Sequence, residues 1–314
     1  MHFEVTINNQ QQHPIITLKN KSTSAEIYAF GGLVNAFTVA TRNGLHNIID
    51  GFNSVEDAIT NITNGFKSSF LSPFTCRMNN GAFKHANTGY KIEKFFLQPH
   101  AIHGVLFDAV YDIIDTNSHQ NEASVTLEHT YWGTDKGYPF TFTVQHIWAL
   151  KPNNELCVTT TVRHTNNTAI PYAQGWHPYF TLGGNVDNYT LQLDSHTMLE
   201  FDSSLLPTGK NIVNNDYAMD ASLNGVILDN CFELDAHINP PKCVLSHNGL
   251  SVTIVPDSSY PYFQVYTPDH RQSIALENLS GAPDCFNNGI GLKLIEPNTS
   301  SIFTTSYFVS ATNL

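Results

Sequence analysis

Four short segments carry side chains able to move protons or grip a polar ligand. In Gly175-Trp176-His177-Pro178-Tyr179-Phe180 an imidazole sits among aromatics, and the proline after it biases His177 toward extended backbone. In Ala101-Ile102-His103-Gly104 a second imidazole precedes a glycine that permits close approach of backbone or ligand. Arg77 lies in the turn-rich run Leu71-Ser72-Pro73-Phe74-Thr75-Cys76-Arg77-Met78-Asn79-Asn80-Gly81, a setting in which an arginine is a candidate ligand clamp. Glu277 ends the apolar strand Ser273-Ile274-Ala275-Leu276 and stands before a loop rich in Gly and Pro, where a carboxylate is a candidate general base. A carboxylate and an imidazole, with ordinary pKa values of about 4.3 and about 6.5, make a complementary proton-transfer pair near neutral pH. Each residue taken singly also has a structural reading: a hydrogen-bonded histidine, a strand-end bulge at 103–104, a surface charge at 77, a solvated strand-end charge at 277.

The elements that must hold these groups are strands. Phe140, Phe142, Val144, His146, Trp148 and Leu150 alternate with Thr141, Thr143, Gln145, Ile147 and Ala149. Leu156, Val158, Thr160 and Val162 alternate likewise with Cys157, Thr159, Thr161 and Arg163. A period of two over such lengths means extended chain, and the turn residues Lys151-Pro152-Asn153-Asn154 between the runs make them a hairpin. Similar stretches recur at 3–8, 14–20, 24–30, 34–41, 90–97, 105–114, 123–131, 189–193, 242–247, 251–256, 262–267, 273–277 and 302–309. Helical signals are few: Ser54 as an N-cap, and a turn or two of helix within 214–223. No linker or repeat interrupts the chain. The expectation is an all-β fold, one large antiparallel β-sandwich domain over 1–314 with a few short helices; two β domains are the alternative.

Composition narrows the partners. Of 314 residues 13% are charged and the net charge is −12. Arg42, Arg77, Arg163 and Arg271 are the whole arginine complement, too few for the basic stripe of a nucleic-acid binder or a polybasic membrane patch. No apolar run reaches the roughly 20 residues of a membrane span, and the N-terminal residues do not resemble a signal peptide. The five cysteines lack any C-x-x-C pairing and read as reduced thiols of a cytoplasmic protein. Asn-x-Ser/Thr triplets such as Asn188-Tyr189-Thr190 arise by chance in an Asn-rich chain. No His-Glu-x-x-His or paired Cys/His spacing marks a metal site, so none is expected.

Taken together, the segments resemble the aldose 1-epimerase (mutarotase) family with its galactose-mutarotase-like fold, from about residue 14 to 308. The sharpest block runs from Gly137-Tyr138-Pro139-Phe140 through the hairpin to Gly175-Trp176-His177-Pro178-Tyr179-Phe180. The second sharp element is Pro283-Asp284-Cys285-Phe286-Asn287 following Glu277. The resemblance implies interconversion of α and β anomers of a free aldose without a cofactor. It implies Glu277 as the base at the anomeric hydroxyl and His177 as the acid at the ring oxygen. It further implies His103 on the ring-oxygen side, with Arg77 and Asp229 binding sugar hydroxyls. All five are then expected to line one open groove on the concave face of the sandwich.

Two departures bear on which sugar is taken. Cys76 stands where the family commonly has Asn before the arginine, and 105–111 reads Val-Leu-Phe-Asp-Ala-Val-Tyr where further Gly and a Trp are usual. A hexose-6-phosphate 1-epimerase is the enzymatic alternative, for which Arg271 is the one arginine that could supply a phosphate clamp. A non-catalytic sugar-binding module is the alternative of another class. Monomer and homodimer are both compatible with the sequence.

Overall fold

The computed structural model describes residues 2–42 and 44–311. Two large antiparallel sheets dominate. One has nine strands, in the order Asp112–Ser118, Ala123–Tyr131, Phe142–Lys151, Glu155–Arg163, Ser300–Ala311, Leu250–Pro256, Cys243–His247, Thr190–Leu193 and Ala221–Ser222. The other has eight: Pro207–Val213, Thr197–Phe201, Asp229–Glu233, Tyr262–Tyr266, Ile274–Leu279, Gly175–His177 and Ser69–Leu71 in order, with Tyr179–Phe180 also pairing Ile274–Leu279. The N-terminal strands Glu4–Asn8, Ile15–Lys19, Thr23–Tyr28, Val34–Thr41 and Gly44–Asn47 form a five-stranded meander.

The alternating patterns explain the layering. In Phe142–Lys151 the residues Phe142, Val144, His146, Trp148 and Leu150 are buried, and their counterparts on Glu155–Arg163 meet them in register, Val144 against Val162 and Trp148 against Val158. This face packs on the inner face of the eight-stranded sheet. Trp148 and Trp176 stand 5.1 Å apart between the sheets, and Phe180 meets Tyr307 at 5.9 Å. Two polar groups drawn into this core find partners: the Trp148 indole donates to the Gly32 carbonyl at 2.9 Å, and His146 Nδ1 meets Thr160 Oγ1 at 2.9 Å. Burial pushes the His146 pKa down to about 3, so it is a neutral core histidine at physiological pH. All five cysteines are buried and unpaired.

Several local expectations are corrected. Residues 105–111 are not a strand: Val105, Leu106 and Phe107 are consecutively buried, the Ala109 N–H closes a turn on Leu106, and the strand begins at Asp112. The run 90–97 splits into the ends of two short strands, Thr88–Lys91 and Phe96–Leu97. Residues 214–223 hold turns and the strand Ala221–Ser222 rather than helix. The helix at Val55–Asn61 forms as expected, with Ser54 Oγ accepting the Asp57 N–H at 3.1 Å. A second short helix, Cys285–Asn288, follows Asp284.

Candidate active site

Three neighbouring strands of the eight-stranded sheet build the floor of a cleft. Register sets Glu277 of Ile274–Leu279 opposite Gln264, and Tyr266 opposite Asp229. Side chains alternate along strands, so these four share the face turned away from the core. Leu276, Phe263 and Val265 point the other way and are fully buried, and Asn278 Oδ1 accepts the Tyr307 hydroxyl at 3.3 Å. Glu277 therefore does not end its strand. Pairing continues through Asn278 and Leu279, and the carboxylate is 2% exposed, which overturns the solvated strand-end reading.

His177 comes from the next strand. Gly175–His177 lies between Ile274–Leu279 and Ser69–Leu71, with Gly175 against Leu279 and His177 against Ser69. Pro178, lacking an N–H, separates this strand from Tyr179–Phe180, which pairs again with Ile274–Leu279. His103 lies beyond the end of His100–Ile102, in left-handed backbone with φ 62°. Its N–H donates to the Cys76 carbonyl at 3.0 Å. Gly104 follows with φ 76° beside Ser72, where any Cβ would stand 2.0 Å from the Ser72 carbonyl oxygen. The His-Gly pair is thus a close backbone approach that aims one imidazole into the cleft.

Arg77 is positioned by the segment after Glu277. The Asp284 N–H donates to the Arg77 carbonyl at 2.7 Å, and Asp284 Oδ1 accepts the Asn79 N–H at 2.8 Å and the Asn287 amide at 2.7 Å. Phe286 packs against Phe74 and Phe83. The Pro283–Asn287 motif is therefore a buttress for the arginine loop. Tyr138 of the Gly137-Tyr138-Pro139-Phe140 block is likewise structural, fully buried with its hydroxyl on the Pro171 carbonyl at 2.7 Å.

The five sequence-predicted residues all line one cleft of about 370 Å³. His177 Nε2 is 3.3 Å from Glu277 Oε1. The His103 ring stands nearly perpendicular to the His177 ring, centroids 5.0 Å apart. Arg77 Nη1 lies 3.8 Å from Asp229 Oδ2, while Gln264 Nε2 donates to Asp229 Oδ1 at 2.6 Å. Glu277 Oε2, His177 Nδ1 and His103 Nδ1 are buried without a hydrogen-bond partner among the described residues, so the cleft holds unused polar capacity. Arg77 is the one Lys or Arg among the cleft-lining residues.

Burial governs the electrostatics. It raises the Glu277 pKa well above the usual carboxylate range, an effect reinforced by the nearby Asp229 charge and opposed by Arg77. It lowers His177 to about 4. His103 is also held well below the ordinary imidazole value, by burial first and then by the proximity of His177 and Arg77. Asp229 is raised by burial, against the pull of Arg77 and its bond from Gln264. The favoured resting form of the pair is a neutral carboxylic acid beside a neutral imidazole, sharing one proton over 3.3 Å. Such a pair can exchange its proton with a substrate while its net charge stays constant.

Tyr179, Gln264, Tyr266 and Phe66 also line the cleft and are not among the residues that sequence reasoning singles out. Tyr179 belongs to a motif already in view, two residues past His177. Gln264 and Tyr266 are marked only by the cross-strand register, which no local pattern encodes.

The chain matches the family model described as Aldose 1-epimerase over residues 14–307. It is 28% identical over 236 residues to the uncharacterized protein YihR of Escherichia coli (strain K12), covering 72% of this chain and 73% of that one. Its fold is similar to the crystal structure of a galactose mutarotase-like protein from Clostridium acetobutylicum, with TM-score 0.87, 17% identity and 99% of each chain covered. It is also similar to galactose 1-epimerase from Lactobacillus acidophilus NCFM, with TM-score 0.83, 19% identity and 98% of each chain covered.

Proposed function

The chain belongs to the aldose 1-epimerase family, and from that premise we propose that it interconverts the α and β anomers of a free aldohexose, with Glu277 and His177 as the proton-transfer pair. The observation that carries this reading is the 3.3 Å approach of His177 Nε2 to Glu277 Oε1 in a buried cleft. The anomeric hydroxyl and the ring oxygen are bonded to the same carbon, so an acid and a base serving both must themselves be neighbours.

In the proposed reaction the proton shared by the pair first passes from Glu277 to His177; the Glu277 carboxylate then takes the proton of O1 as His177 delivers one to O5. The C1–O5 bond breaks, C1 becomes the open-chain aldehyde, and rotation about C1–C2 presents its other face. Reclosure returns both protons. Opening converts the carboxylate–imidazolium form of the pair into the neutral form that burial favours, and closure reverses this. His103 stands edge-on to His177 and serves the ring-oxygen side. Arg77 and Asp229, the latter oriented by Gln264, take sugar hydroxyls. Each positioned proton-transfer group contributes about 10²–10⁴-fold.

A neutral sugar fits the charges better than a phosphate ester. Arg77 is already shared with Asp229. Arg271 is engaged elsewhere: its guanidinium donates to the Val226 and Leu223 carbonyls, each at 2.7 Å, and pairs with Asp187 at 2.7 Å. Lys67, next to cleft-lining Phe66, is paired with Asp50 at 2.7 Å. Among the described residues no helix is long and apolar enough to cross a membrane; we place the protein in the cytoplasm, acting as a monomer or homodimer on a soluble sugar. Polarimetry of freshly dissolved α-D-glucose and α-D-galactose tests the reading: the approach to equilibrium accelerates in proportion to protein added, and an unchanged rate with both sugars would refute it.

A further inference from the structure

On the opposite side of the sandwich, the outer face of the nine-stranded sheet carries a second cleft, of about 480 Å³. Its floor is one row of side chains across four strands: Thr130 opposes Thr143, Thr143 opposes Arg163, and Arg163 opposes Ser300. The next residues on the two middle strands, Val144 and Val162, are fully buried, so this row faces outward. Trp132 stands at the end of the row and is 73% exposed, whereas Trp148 and Trp176 are buried.

The residues on either side of the exposed indole are fixed. Tyr131, immediately before it, is buried; its hydroxyl donates to the Tyr138 carbonyl at 2.9 Å and accepts the Asp135 N–H at 2.9 Å. Gly133, immediately after it, has φ 69°, and any Cβ there would lie 2.6 Å from the Pro139 carbonyl oxygen. Thr165, Asn298 and Ser300, also lining the cleft, have side chains without a hydrogen-bond partner among the described residues. The one cation is neutralised, Arg163 Nη2 donating to Glu128 at 2.9 Å.

We propose that this cleft is a binding site for a neutral saccharide, one pyranose ring stacking its C–H face on Trp132 while its hydroxyls bond to Thr165, Asn298, Ser300 and the Arg163–Glu128 pair. A flat, exposed indole beside short hydroxyl and amide groups offers the two surfaces a pyranose needs, one for its apolar face and one for its polar edge. The paired charges favour a neutral ligand over an anionic one. A protein partner would call for contiguous exposed apolar area, and Trp132 is the one exposed large apolar side chain lining this cleft. The site shares no residue with the Glu277–His177 cleft and does not depend on the function assigned there.

The test uses the fluorescence of the three tryptophans, of which only Trp132 is open to a collisional quencher. Methyl α-D-glucopyranoside, methyl β-D-galactopyranoside, maltotriose and lactose are titrated against acrylamide quenching of the whole protein. The first two have a locked anomeric carbon and cannot be turned over. At least one of the four should protect Trp132 saturably, lowering its quenching constant by about twofold, as a stacked ring covering one of its two faces would. Protection should persist in Arg77→Ala, which removes a sugar-binding group of the first cleft. It should weaken by about tenfold in affinity in Arg163→Ala, which retains the fluorophore but loses a charge-assisted donor. Trp132→Ala should leave anomerisation unchanged. The proposal is overturned if none of the four protects, if protection vanishes in Arg77→Ala but survives Arg163→Ala, or if Trp132 is shielded without sugar in a manner that dilution reverses, which would make this face a contact between two copies.

Discussion

Replacing Glu277 by glutamine keeps the shape of the side chain and removes its ability to take a proton. The rate of anomerisation should fall by about 10²–10⁴-fold, with sugar binding retained. The same change should stabilise the fold, and the pH dependence of that gain follows from the raised carboxyl pKa. An ordinary Glu titrates at 4.5, and burial holds Glu277 protonated well above that. Below pH 4.5 both the native and unfolded chains carry the proton, and the residue contributes nothing that varies with pH. Above 4.5 the unfolded chain releases the proton while the native chain keeps it, so native stability falls as pH rises, until the native pKa is passed. The loss is about 1.4 kcal/mol for each pH unit over which the native carboxyl stays protonated. An amide does not titrate, so the Glu277→Gln variant is free of this loss. Thermal unfolding of wild type and Glu277→Gln between about pH 4 and about pH 8 should therefore show a difference in Tm that widens with pH in favour of the variant, alongside the loss of activity. A difference flat in pH would refute the raised carboxyl, and a rate within a few-fold of wild type would refute its role as the base.

His177→Asn should lose activity by a comparable factor, and the double variant with Glu277→Gln should cost less than the product of the two, because one proton circuit can be broken only once; steady-state polarimetry of the three proteins decides this. The pH profile of kcat/KM should fall on the acid side only near pH 4, where His177 adds a second proton to the pair, and on the alkaline side only above the ordinary carboxylate range, where Glu277 gives up the last one. An acid limb near the ordinary imidazole value, about 6.5, would contradict the buried pair. Glucose should be preferred to glucose 6-phosphate with little dependence on salt, because Arg77, Arg271 and Lys67 are all paired. A phosphate preference that added salt weakens would reverse this reading.

The sandwich is legible in the sequence where strands are long and half-buried. The hairpin of Phe142–Lys151 and Glu155–Arg163 shows because one face meets the core and the other meets solvent. The strands that hold the proton pair show less. Every residue of Gly175–His177, Ser69–Leu71 and Ile274–Leu279 is buried, so their faces do not alternate in polarity, and Glu277 looks like a strand end. At 105–107 the apolar spacing resembles a strand because consecutive buried loop residues produce the same pattern. The five site residues emerge through motif resemblance, while Gln264, Tyr266 and the Arg77–Asp229 approach depend on pairings between distant segments. Arg271, the residue most able to support a phosphate reading from sequence, is committed to carbonyls and Asp187 that only the folded chain brings to it.

Proton transfer at the two oxygens of one sugar carbon by the Glu277–His177 pair underlies every role proposed for the cleft. Two-dimensional exchange NMR of the anomeric protons, on equilibrated glucose and on equilibrated galactose, reads that event without a coupling enzyme. With wild-type protein, exchange cross-peaks between the α and β anomeric protons should appear for at least one of these sugars and grow linearly with protein concentration. With Glu277→Gln or His177→Asn they should return toward the buffer rate. Exchange at the buffer rate for both sugars with wild-type protein, or exchange that survives both substitutions, would contradict the assignment of this pair.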